Sequence, residues 1–94
     1  MSGGDLPRAV CFDAAVRVRL GAERGFVFDQ RSGRVFSLNA SAALAAERIQ
    51  SASPLSAVVA AVVEAFEVDA ATAGRDLAAF VAQLVEAGLV TIDG

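Results

Sequence analysis

Apolar and polar residues alternate strictly along Val16-Arg17-Val18-Arg19-Leu20, with three aliphatic side chains on one side and two arginines on the other. A period of two is that of a half-buried β-strand with one face in water. Gly21 to Arg24 then reads as a turn, and Gly25-Phe26-Val27-Phe28 as a second strand of aromatic and β-branched residues. Asp29-Gln30-Arg31-Ser32-Gly33 has turn chemistry. An Asp hydrogen-bonds its own turn, and a Gly takes the left-handed position that closes a hairpin of this loop length. Arg34 to Leu38 follows as a third strand. Three strands joined by short turns predict an antiparallel meander, with the third strand at an edge and a row of its backbone N–H and C=O groups unpaired.

After Asn39 the period changes from two to that of a helix. Asn39 is a good N-cap for a helix running from Ala40 to about Gln50, with Ala42, Ala45 and Ile49 as a weak inner stripe. Pro54 breaks the chain before a second helix. There Leu55, Val58, Val59, Val62, Val63 and Phe66 recur at helical spacing, which is the cleanest amphipathic signal in the sequence. Asp69 is placed to cap a third helix, and Gly88 to stop it. Leu89 to Ile92 reads as a short extended tail, a small strand or wing. At the other end, Gly3, Gly4 and Pro7 interrupt any regular pattern, so residues 1–14 are expected as a flexible tail and residues 15–94 as a single domain.

The third helix carries more apolar surface than one buried face requires. Ala73, Leu77, Phe80 and Leu84 centre one stripe, and Gly74, Ala78, Val81 and Val85 form another beside it. Two readings fit: a helix sandwiched in the core, or a helix whose second, small-residue stripe lines a groove.

Composition narrows the function. The chain has 94 residues, room for one domain, and a net charge of −3. All eight basic residues are Arg, five of them between Arg17 and Arg34. An acidic total argues against a nucleic-acid binder, while the basic hairpin suits either a solvated sheet face or an acidic peptide. Without His there is no imidazole base, and one Cys cannot build the usual zinc sites. Gly-rich phosphate loops are absent, and pairs such as Glu64 and Glu67 sit on a polar helix face. A binding module is expected rather than an enzyme, with no metal, cofactor, membrane or nucleic-acid partner. The start of the chain has no basic and apolar signal segment, so a cytoplasmic location is expected. The lone Cys11 reads as a half-buried small apolar residue.

Several segments together carry a family resemblance: Phe28-Asp29, Ser32-Gly33-Arg34-Val35-Phe36-Ser37-Leu38-Asn39, Val68-Asp69, and the run Asp76, Phe80, Leu84 and Gly88-Leu89-Val90. In this order and spacing, across about Val16 to Ile92, they resemble the PqqD-like proteins, also called RiPP recognition elements. The resemblance implies an α+β, winged helix-turn-helix-like fold, a three-stranded antiparallel sheet followed by three helices. It implies a non-catalytic peptide chaperone. Such a protein binds the leader of a ribosomally made precursor as a strand added to the third β-strand, and passes it to a separate modifying enzyme, a radical enzyme or a lasso-type protease or cyclase. Carried onto this chain, the strand edge is Val35, Phe36, Ser37 and Leu38, and the facing helix wall is Gly74, Arg75, Ala78, Val81, Ala82 and Val85. The alanine-rich first helix departs from the family's larger aliphatics. Two other readings of the same elements are a winged-helix DNA-binding regulator and a small obligate subunit of a larger complex. The protein itself is expected as a monomer or an edge-strand homodimer.

Overall fold

The computed structural model describes residues 8–21 and 24–93. Five strands and three helices follow in the order β1 (Ala9–Phe12), β2 (Val16–Leu20), β3 (Gly25–Asp29), β4 (Arg34–Leu38), α1 (Ala40–Gln50), α2 (Leu55–Phe66), α3 (Ala70–Glu86) and β5 (Val90–Asp93). Strands β2, β3 and β4 form the antiparallel meander, with β3 central and β4 at an edge. The register pairs Val18 with Val27 and Val27 with Phe36, so these side chains share the face turned to the helices. Arg17 and Arg19 share the opposite face with Phe26, Phe28, Val35 and Ser37.

Local chemistry explains the joints. Asp29 Oδ1 accepts the Arg31 N–H at 3.0 Å, Ser32 Oγ donates to Asp29 Oδ2 at 3.0 Å, and Gly33 closes the β3–β4 turn at φ +77°. Asn39 caps α1 by accepting the Ala42 N–H at 2.9 Å, and Asp69 caps α3 by accepting the Thr72 N–H at 2.7 Å. A Cβ on Gly25 would lie 2.9 Å from the Arg19 carbonyl oxygen and 3.4 Å from Ala43 Cβ. The bare glycine thus avoids a clash with the backbone of β2, while α1 meets this position through the small side chain of Ala43. Ala43, Ala45, Ala46 and Ile49 are its buried positions, whereas Ala42, expected among them, is only half-buried.

One expectation is corrected here. Residues 9–12, placed in a flexible tail, form β1 and pair antiparallel with β5, from Ala9 opposite Asp93 to Phe12 opposite Val90. Residues 1–7 lie outside the described residues. The strand is fastened at both ends: Leu55 N–H donates to the Arg8 carbonyl at 2.9 Å, and Asp13 N–H to the Leu89 carbonyl at 2.8 Å. Val10 is fully buried. Four residues are too few to show a period, and the partner strand is at the far end of the chain, so nothing local announces the pairing. The β1–β5 ribbon packs against α1 and α3 and adds Val10, Leu89 and Val90 to the core of Val27, Ile49, Leu55, Val58 and Leu77.

Candidate functional site: the groove between β4 and α3

A groove of about 1380 Å³ runs between the open edge of β4 and the length of α3. Every residue of β4, Arg34 through Leu38, lines it. Phe36 and Leu38 face the helices, with Phe36 half-buried, while Val35 on the outer face is 59% exposed. The opposite wall is the face of α3 bearing Leu77, Phe80 and Leu84, with Asp76, Gln83 and Glu86 as its polar members. One end is filled by Ala42 and Ala45 of α1, Val62 and Phe66 of α2, and Val68. Small side chains on α1 thus keep this end roomy, and Phe66, 39% exposed, supplies an aromatic surface there.

Val35, Phe36, Ser37 and Leu38 line the groove. The helix residues do not: Gly74, Arg75, Ala78, Val81, Ala82 and Val85 are not among those lining it. Val81 is 4% exposed and belongs to the core cluster with Val10, Ile49 and Leu89. Val85, 39% exposed, and exposed Arg75 and Ala82 point elsewhere. The stripe assigned to the core, Ala73, Leu77, Phe80 and Leu84, is core, with Ala73, Leu77 and Leu84 buried, and its outer side also borders the groove. The two stripes are adjacent and both apolar, so periodicity cannot set the helix's rotation. The β1–β5 ribbon, which packs on α3, was missing from the sequence reading. A usable signal was the polar set Asp76, Gln83 and Glu86 beside the larger apolar side chains, which marks a face that meets water.

The charges of the groove are sparse. Arg34 sits with its guanidinium carbon 5.0 Å from the centre of the Phe36 ring, a cation–π contact that covers one side of that ring. Asp76 and Glu86 are exposed carboxylates on the helical wall. At the N-terminus of α3 the Thr72 N–H holds the Asp69 carboxyl below its ordinary value, as a cap should. Asp29, at the foot of β4, is likewise held low, chiefly by the Arg31 backbone N–H, against the opposing effect of its burial. Among the described residues no group of His, Cys, Asp and Glu is arranged to hold a metal, and no buried side-chain polar atom lacks a partner. The groove offers backbone hydrogen bonds on one wall and apolar surface on the other, which is the equipment for holding an extended chain.

The family model described as coenzyme PQQ synthesis protein D (PqqD) matches residues 24–90, from the start of β3 into β5. The chain belongs to the PqqD family. No curated protein matches it. Two solved structures do share its fold. One, a lasso peptide synthetase B1 complexed with the leader peptide, is 28% identical over 87% of this chain and 96% of its own, with a TM-score of 0.77. The other, TbiB1 in complex with the TbiA(beta) leader peptide, is 20% identical over 89% of this chain and 98% of its own, with a TM-score of 0.81. The shared fold thus extends over most of this chain.

Proposed function

We propose that this PqqD-family protein binds the leader segment of a ribosomally made precursor peptide and presents it to a separate modifying enzyme, itself performing no chemistry. The observation that carries the reading is the open edge of β4 bordering a groove whose far wall is the apolar face of α3. An added strand satisfies the unpaired backbone groups of β4, and every second side chain drops towards Phe36, Leu38, Leu77 and Phe80. The 28%-identical structure holds a leader peptide, which supports the same use here. Ordering a flexible leader costs free energy, so affinity is expected to be on the order of micromolar or somewhat tighter. No helix among the described residues is long and apolar enough to cross a membrane. A DNA-reading role for α3 finds little support, since Arg75 is its only cation.

The test is titration of a fluorescein-labelled leader from the precursor encoded nearest this gene, with the TbiA(beta) leader as a second probe. Saturable binding is expected, weakened about tenfold or more by Phe80→Ala and left within twofold by Ala82→Ser. Absence of saturable binding to either peptide, or equal effects of the two substitutions, contradicts the assignment.

A further inference from the structure

Arg31 makes the one side-chain hydrogen bond among the described residues that joins distant parts of the chain. Its Nη2 donates to the Gly88 carbonyl at 2.9 Å across 57 positions, whereas the other such bonds link residues no more than four apart. The placement bears on the groove. Arg31 lies in the turn that leads into β4, and Gly88 is the left-handed residue that ends α3. The two walls of the groove are therefore tied to each other at this end. At the other end β4 runs on into α1, whose Ala42 and Ala45 line the groove.

The guanidinium is itself held. Its Nε lies 3.3 Å from Asp29 Oδ1, the carboxylate that also accepts the Arg31 backbone N–H, and Asp29 is only 6% exposed. Its Nη1 lies 3.7 Å from Asp13 Oδ2, in the connection between β1 and β2. Three acceptors on three segments thus converge on one planar cation: the end of β3, the β1–β2 connection and the end of α3. Only the forked donor set of arginine spans them, because a lysine ammonium presents its protons from a single point. The side chain is 52% exposed, so water screens these contacts and their direct contribution to stability is small.

Resting on the peptide-binding reading above, we propose that Arg31 is a positioning residue for the groove, a clasp that holds β4 and α3 at the separation an added strand requires. It touches no peptide. Its effect is preorganisation: with the clasp open, β4 and the end of α3 move independently, and the peptide must order them as it binds.

The experiment combines titration of the full chain with the labelled leader and amide hydrogen exchange of the free protein. It compares Arg31→Ala, Arg31→Lys and, as a control of matched small destabilisation away from the groove, Ile49→Val. The expected result is an affinity loss of about tenfold for Arg31→Ala, with Arg31→Lys in between and Ile49→Val within twofold of the parent. Exchange at residues 35–38 should quicken in Arg31→Ala and return to the parent rate once the groove is saturated. Arg31→Ala binding like the parent, or Ile49→Val losing as much affinity, overturns the clasp. If the parent chain itself binds no leader, the peptide reading fails and the clasp is judged by exchange alone. Faster exchange along β4 in Arg31→Ala but not in Ile49→Val then supports it, and equal rates overturn it.

Discussion

Two helix ends in this protein use the same hydrogen-bond pattern with different residues. After α3, the Gly88 N–H donates to the Val85 carbonyl and the Leu89 N–H to the Leu84 carbonyl, with Gly88 at φ +75°. After α1, the Ala52 N–H donates to the Ile49 carbonyl and the Ser53 N–H to the Arg48 carbonyl, but the left-handed residue is Ala52, at φ +66°. A Cβ in that conformation crowds the following carbonyl, at a cost of roughly 1–2 kcal/mol that glycine avoids. Ala52→Gly should therefore raise stability by about 0.5–1 kcal/mol, after allowing for the greater freedom of glycine in the unfolded chain. Gly88→Ala should lower it by about 1 kcal/mol. Urea unfolding of both variants checks the pair, and a stabilising Gly88→Ala would show that the cap geometry is misjudged. Asp29 adds a pH-dependent contribution. Its folded-state pKa is lowered from the ordinary 3.8, so the ionised form is stabilised by folding. That contribution is complete above 3.8 and fades as pH falls through the lower folded value. Asp29→Asn should flatten the acid limb of a stability–pH profile while leaving its shape above pH 5 unchanged.

At the scale of elements, α3 carries two faces with two duties, and substitutions on them should separate. Val81 is buried in the core cluster, so Val81→Ala should cost about 2 kcal/mol of stability and leave leader affinity nearly unchanged. Phe80 is half-buried on the groove, so Phe80→Ala should cost less stability and far more affinity. Thermal unfolding and peptide titration of the same two variants decide it, and a reversed ranking would favour the small-residue stripe as the binding face. This is also where the sequence was least legible. Strands β2 to β4 were readable because alternation, Asp29 and Gly33 are local signals, and α1 to α3 because Asn39, Pro54, Asp69 and Gly88 mark their ends. The β4 wall of the groove followed from strand order alone. Which stripe of α3 faces β4 depends on the helix's rotation, which tertiary packing sets. Neighbouring stripes about 100° apart, both apolar, give the sequence no means of choosing.

Across the whole molecule, the ribbon of β1 and β5 closes a fold that would otherwise end at α3. It joins the first and last described strands and buries Val10, Leu89 and Val90. A chain begun at Ala15 keeps every element read from the sequence but loses Val10 and the partner of β5. It is expected to lose at least about 2 kcal/mol of stability, a large share of the margin of a domain this small. Equal stability of the truncated and full chains in urea would mean that the ribbon is dispensable. The fold leaves β4 as an uncovered edge facing an apolar helix. The measurement that tests this account most directly is amide hydrogen exchange of the full chain with and without the leader peptide. Alternate amides within Arg34–Leu38, those not paired to β3, are expected to become protected on binding, with no comparable change along β2. Saturable binding that leaves β4 exchange unchanged, or protects the β2 edge instead, would contradict it.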